Sequence, residues 1–163
     1  MLIVGIDPGS RHTGFGVIHS RGDELKALAF GRISPDTSQP MASRLHYLSS
    51  RLTELVTEWQ PQVVVLETPF HGINSRSLIV LAQARGALLA ALGGQAVEVR
   101  EYSPAEIKSA LTGNGRADKS QVGRMVTLLL GLKGKRPNAD ATDALAVALC
   151  GAQRYRLDRL REA

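Results

Sequence analysis

The chain has 163 residues, of which 44% are hydrophobic and 21% are charged; these values are typical of a folded domain and exclude a disordered or fibrous chain. Twenty Lys and Arg residues against fifteen Asp and Glu residues give a net charge of +5, which favours a polyanionic partner at low salt. The single cysteine, Cys150, excludes an internal disulfide and is typical of a protein from a reducing cytoplasm.

The length favours a single domain over residues 1–163. The first residues lack the basic flank and long apolar core of a signal peptide, and the apolar run 122–132 is interrupted by glycine and arginine. We therefore expect no membrane-inserted segment. The arginine-rich last ten or so residues have two interpretations, a frayed helix end or a DNA contact.

The first third of the chain predicts a three-stranded antiparallel meander followed by a helix. Apolar or alternating runs over 2–7, 14–19 and 25–33 are separated by the turn signals "PGSRHT" and "SRGDE". From residue 41 to 59, apolar side chains recur at steps of three and four, with Pro61 just beyond. This spacing predicts an amphipathic helix.

The remainder alternates between strands and helices. "VVVLE" (63–67) is typical of a strand that is covered on both faces. After it we predict a helix over 77–92, a strand over 96–102, a short helix from Ser103, and helices over 121–130 and 138–156. The order predicts an α/β fold with a five-stranded mixed sheet and helices on both faces.

Four carboxylates stand where this fold would bring them together. Asp7 ends the first strand and Glu67 ends the fourth, so both would lie at one edge of the sheet. Asp140 and Asp143 are three residues apart on a predicted helix and therefore share one side of it. Each has an ordinary structural interpretation as well, because Asn138 can cap this helix and aspartate before Pro-Gly is common in turns.

Converging carboxylates repel one another unless a cation lies between them. A set of carboxylate oxygen ligands without cysteine suits Mg²⁺ or Mn²⁺ better than zinc. Two such ions support in-line phosphoryl displacement by a metal-activated water. The pattern therefore indicates metal-dependent hydrolysis of phosphodiester bonds.

Five segments in this order resemble the RuvC family of bacterial Holliday-junction resolvases: "GIDPGSRHTGFGV", "LETPF", "QARGALL", "GNGRADKSQV" and "ADATDALAVAL". The resemblance runs from residue 2 to about residue 152. It implies an RNase H-like fold, a homodimer, and Mg²⁺-dependent paired nicking of four-way junction DNA during recombination and repair. It also implies action beside the RuvAB branch-migration complex in the cytoplasm.

The resemblance assigns roles residue by residue. The family's four catalytic and metal-binding carboxylates fall on Asp7, Glu67, Asp140 and Asp143; Asp140 ranks fourth, because histidine can occupy its position in the family. Phe70 matches an aromatic wedge that enters the junction, and its alternative is a buried loop anchor. Basic positions of the family near the scissile phosphate fall on Lys108 and Lys119. Further candidates for phosphate contacts are Arg76, Arg85, Arg116, Lys135 and Arg136.

Two other functions compete with this one. "GIDPGSRHTG" also resembles the first phosphate loop of actin-like ATPases, although those enzymes need two lobes and a second phosphate-binding segment. A junction-binding module without activity is the other alternative, in which the carboxylates would serve only as caps and turn residues.

Overall fold

Five strands form one mixed sheet in the order β3-β2-β1-β4-β5. The computed structural model describes residues 1–69 and 74–162, with the side chains of 159–162 excepted. The first three strands are antiparallel, whereas β4 runs parallel to both β1 and β5. The strands are β1 (Leu2–Asp7), β2 (Thr13–Arg21), β3 (Glu24–Ile33), β4 (Val63–Glu67) and β5 (Glu98–Tyr102). The predicted α/β fold with a five-stranded mixed sheet is confirmed.

Helices cover both faces, also as predicted. They are α1 (Met41–Trp59), α2 (Ser75–Gly93), α3 (Pro104–Thr112), α4 (Lys119–Leu129) and α5 (Ala139–Glu162). α2 and α4 each begin two residues before the predicted start, because Asn74 and Asp118 accept hydrogen bonds from the backbone of the first turn. β5 begins at Glu98 instead of residue 96.

Two apolar layers hold the helices to the sheet, because side chains alternate along each strand. Ile3 of β1 points to the layer with α3, α4 and α5, where it packs with Leu145 and Leu149. Val4 and Ile6 point to the opposite layer, which contains α1 and α2. Cys150 is fully buried in the first layer, and burial raises the pKa of its thiol to about 11.

Glycine allows α5 to approach the sheet closely. A Cβ atom on Gly5 would lie 2.2 Å from the Ala144 carbonyl oxygen, and one on Gly14 would lie 2.1 Å from the carbonyl oxygen of Asp140. No larger residue fits at either position without moving α5. The start of α5 therefore lies against the ends of β1 and β2, next to the last residue of β1.

The arginine-rich end is helical as far as Glu162. Arg156 pairs with Asp23, and Asp158 accepts a hydrogen bond of 2.7 Å from Arg100. The Arg100 guanidinium also lies over the Tyr155 ring, 4.9 Å from its centroid. These contacts attach the helix end to β2–β3 and to β5.

α2 is unusually apolar for its exposure. Within the described ranges it is the one helix that is long and apolar enough to cross a membrane. Only 17% of its most apolar window is buried inside the protein. Length and composition alone are weak grounds for a membrane span, because apolar helices of soluble proteins have them too. Ile79 is 61% exposed.

Candidate active site

Asp7 and Glu67 lie side by side at the edge of the sheet. Their strands are parallel neighbours, with Ile6 paired to Leu66, so the next residue of each strand emerges at the same place. The two carboxyls are close enough that the charge of Glu67 raises the pKa of Asp7. Both side chains line a cavity of about 400 Å³.

The second acidic pair comes from the first turns of α5. The Asn138 side chain accepts a hydrogen bond of 2.9 Å from the Ala141 N–H, so Asn138 caps the helix. Asp140 and Asp143 are thus not needed as caps. Asp143 lines the cavity with Asp7 and Glu67, whereas Asp140 lies beside it and faces Arg32 at 3.7 Å.

Burial and mutual repulsion raise the pKa of Asp7 to about 8; burial is the largest cause, followed by the charges of Glu67 and Asp143 and a smaller effect of Asp140. Burial also raises the pKa of Glu67. Asp7 therefore tends to keep its proton at neutral pH, which reflects the repulsion that the sequence predicted for converging acids.

Two lysines enter the same cavity from α3 and α4. Lys119 is the first residue of α4 and follows the Asp118 cap; its Nζ donates to Asp143 Oδ2 at 2.9 Å. This hydrogen bond is the main cause of the raised Lys119 pKa. Lys108 lies one turn into α3, lines the cavity and lowers the pKa of Glu67 through its charge.

The donor set fits a hard divalent cation, because its oxygens are carboxylates and the surrounding acids resist losing their protons without a positive charge nearby. In the described part of the chain, however, no three His, Cys, Asp or Glu side chains are arranged around a common point. Asp143 accepts a hydrogen bond from Lys119. An ion bound by Asp143 would compete with this Lys119 contact.

Among the described residues, the other predicted contact residues do not line this cavity. Arg85 pairs with Glu101 and lines a smaller cavity beside Asp7 and Glu67. Arg116 is exposed in the loop between α3 and α4, and Lys135 and Arg136 are exposed before α5. Arg76 is the second residue of α2 and lines a separate cavity with Arg44. Phe70 lies outside the described residues.

Sequence reasoning missed two arginines near the site. Arg32 on β3 faces Asp140, and the Arg44 Nη2 on α1 donates to the Ser10 carbonyl at 2.6 Å. Both contacts join segments far apart in the chain. The only sequence signal was the position of Arg44 on the polar side of the amphipathic helix.

Comparison with known sequences identifies relatives over nearly the whole chain. The family model described as Crossover junction endodeoxyribonuclease RuvC matches residues 3–151. A protein of that name from Chlorobaculum parvum is 45% identical over 154 residues, which are 94% of this chain and 82% of the relative. Another from Coxiella burnetii is 46% identical over 156 residues, 96% of this chain and 90% of the relative.

Solved structures give the same result. RuvC of Thermus thermophilus superposes with a TM-score of 0.88 at 33% identity and covers 97% of each chain. Its complex with Holliday junction substrate gives 0.91 at 32% identity, over 97% of this chain and 96% of that one. The yeast mitochondrial Holliday junction resolvase Ydc2, at 13% identity and a TM-score of 0.69, shares the fold. With a family model over most of its length and relatives above 40% identity, the chain belongs to the RuvC family of crossover junction endodeoxyribonucleases.

Proposed function

We propose that the cavity lined by Asp7, Glu67 and Asp143 is the centre at which this chain cuts Holliday junctions. The chain is a Holliday junction resolving endonuclease that hydrolyses phosphodiester bonds, as its family membership establishes. The observation that carries the proposal is the meeting of three carboxylates from β1, β4 and α5 with two lysines in one cavity. No ATPase function is needed to explain the "GIDPGSRHTG" segment, because it forms the end of β1 and the following loop.

Family members are metal-dependent nucleases, and we propose Mg²⁺, with two ions for each site and Mn²⁺ as a substitute. When bound, the ions would supply Lewis-acid activation of water and of the phosphate. Asp7, Glu67 and Asp143 would hold them, with Asp140 as the outermost ligand. To do so, Asp7 must give up its proton and Asp143 must give up its contact with Lys119.

Lys108 and Lys119 are proposed to stabilise the charge that develops on the cut phosphate. An ammonium group that is positioned beside a developing oxyanion stabilises its charge. The Lys119 side chain is 82% exposed and is held by its contact with Asp143. It can therefore move between the carboxylate and the substrate.

The surrounding residues are proposed to hold the junction. Arg76 and Arg116 are exposed and would contact backbone phosphates without reading sequence. Arg85 would need to leave Glu101 to do the same, so it is the weakest of the three candidates. Phe70 would serve as the wedge that its resemblance implies.

A homodimer is proposed because a four-way junction has approximate two-fold symmetry, so paired nicks on opposed strands need two identical centres. The exposed apolar side of α2 is the surface that a second copy would cover: it includes Ile79, Ala82, Gly86 and Ala90, which follow one another at helical spacing. Burial in a dimer explains why so apolar a helix is so little buried in one chain. Action beside the RuvAB complex and a cytoplasmic location are also proposed.

Cleavage of a mobile synthetic four-way junction tests the function. It is compared with a linear duplex of the same sequence, each with Mg²⁺ and with EDTA. We expect symmetric nicks on opposed strands of the junction, in Mg²⁺ only, and an intact duplex. Binding of the junction without cutting, in both Mg²⁺ and Mn²⁺, would instead support the module without activity.

A further inference from the structure

A second charged cavity lies beside the active site and holds no acid. It has a volume of about 480 Å³ and is lined by Ser10 and Arg11 of the β1–β2 loop, Arg44 of α1 and Arg76 of α2. We call these four residues the arginine pocket. None of the residues that line the cavity is a carboxylate, whereas the active-site cavity contains three of them. The arginine pocket is therefore purely positive, whereas the active-site cavity holds both carboxylates and lysines.

The arginines of this pocket are not neutralised by the protein. Among the described residues, ion pairs are formed by Arg32, Arg51, Arg85, Arg100 and Arg156. Arg11, Arg44 and Arg76 form none within the same part of the chain. Three guanidinium groups around one cavity repel one another, and an anion between them removes this repulsion.

Arg44 is already oriented for such a contact. Its Nη2 donates to the Ser10 carbonyl at 2.6 Å and approaches the Ser10 hydroxyl at 3.4 Å, so the guanidinium is fixed against the loop. Its Nε is buried and has no acceptor in the described ranges. A buried donor without an acceptor is unfavourable, and native structures usually leave one only where a water, ion or ligand completes it.

The start of α1 adds to the positive potential. Pro40 precedes this helix and provides no side-chain cap for its first N–H groups, and Met41 lines the cavity. Unpaired N–H groups at the start of a long helix favour an anion. The fork of arginine matches the geometry of phosphate.

We propose that the arginine pocket binds a backbone phosphate of the DNA substrate other than the one that is cut. The inference rests on the proposed function and extends it, since it places a second strand contact beside the acidic cavity. Ser10 follows Asp7 by three residues, a span of at most about 11 Å. Nucleotides rise about 3.4 Å each along a strand, so the bound phosphate lies within a few nucleotides of the cut.

Arg11→Gln and Arg44→Gln test the proposal, with Arg51→Gln as the control. Arg51 is on the same helix as Arg44 but pairs with Glu54 away from the pocket. Binding to a synthetic four-way junction is measured in EDTA at several salt concentrations. Each pocket variant is expected to bind about tenfold more weakly and to lower the slope of log K against log salt by about one. The control should match the unmodified protein.

A second measurement identifies the phosphate. Single linkages of the junction are replaced by neutral methylphosphonates, one at a time. The unmodified protein should lose affinity at one linkage outside the cut site, and Arg44→Gln should lose no further affinity there. Unchanged affinity and salt slope in both variants would overturn the proposal. So would a loss of cutting by Arg44→Gln at unchanged affinity, since Arg44 would then only hold the Ser10 loop.

Failure of this inference differs from failure of the proposed function. If the unmodified protein cuts the junction in Mg²⁺ while both pocket variants bind normally, the function stands and the arginine pocket is structural. If the unmodified protein does not cut but both variants lose affinity and salt slope, the pocket is supported and the acidic centre is not.

Discussion

At the scale of single residues, the buried carboxyls of the acidic cavity lower the stability of the folded protein. Asp7 is buried beside Glu67 and Asp143, and its pKa is raised to about 8. A carboxyl whose pKa is higher in the folded state than in the unfolded chain favours unfolding as pH rises between the two values. The site therefore keeps an unfavourable charge that an ion would compensate, as functional sites often do.

This cost can be measured without any ion. In EDTA, Asp7→Asn should raise the free energy of unfolding by several kcal/mol at pH 8, because a rise in the pKa from 3.8 to about 8 corresponds to roughly 5 kcal/mol and the amide adds no charge. The advantage should grow as pH rises from 5 to 8 and level off above the pKa of Asp7. Thermal unfolding at several pH values tests it; an advantage that is independent of pH would contradict the electrostatic account.

The two aspartates of α5 should differ in importance. Asp143 lines the cavity and is bonded to Lys119, whereas Asp140 lies beside it and faces Arg32. Asp143→Asn should therefore reduce junction cutting by at least tenfold more than Asp140→Asn. Single-turnover rates at saturating Mg²⁺ provide the comparison. Equal losses would show that Asp140 is as central as Asp143.

At the scale of elements, the close contact between α5 and the sheet places the second acidic pair. Only glycine fits at positions 5 and 14, where a methyl group would lie 2.2 Å and 2.1 Å, respectively, from backbone oxygens of α5. The same packing that forms the core therefore determines where Asp143 stands relative to Asp7. The interface between α5 and the sheet therefore both stabilises the fold and positions the aspartates of the active site.

Gly14→Ala should accordingly lower both the stability of the fold and the rate of junction cutting. The new methyl group would lie 2.1 Å from the Asp140 carbonyl oxygen, so the start of α5 must move, at a cost of about 1–3 kcal/mol or more. Cutting should fall further than the loss of folded protein explains. Gly123→Ala is the matched control, since its methyl group meets only Thr142 at 3.8 Å. Full activity of Gly14→Ala would contradict this role for the contact.

The sequence predicted most elements and the meeting of strand ends, because apolar runs that end on Asp7 and Glu67 are local signals. It could not predict that Lys119 reaches Asp143 or that Arg44 reaches Ser10, 24 and 34 residues away. Such contacts depend on how helices pack, which no local pattern encodes. For the same reason Arg85, expected as a DNA contact, was not expected to pair with Glu101.

At the scale of the whole molecule, the proposed dimer makes a direct prediction. Ile79→Glu places a charge on the exposed side of α2, where burial against a second copy would be costly. Sedimentation should show a monomer, and cutting should change from paired nicks to slow single nicks. Leu128→Glu is the control, because Leu128 is also an exposed apolar residue, at 72%, but lies on α4. A dimeric Ile79→Glu protein would exclude this face as the interface.

The carboxylates of this cavity are proposed above all to perform hydrolysis, and not to serve folding or binding. The most direct measurement compares junction binding and junction cutting for Asp7→Asn and Glu67→Gln in Mg²⁺. We predict that both variants bind the four-way junction with affinity close to that of the unmodified protein while cutting falls by at least about 1000-fold, on the order expected for loss of a central electrostatic group. Variants that still cut, or that lose cutting only because they no longer bind, would contradict this role.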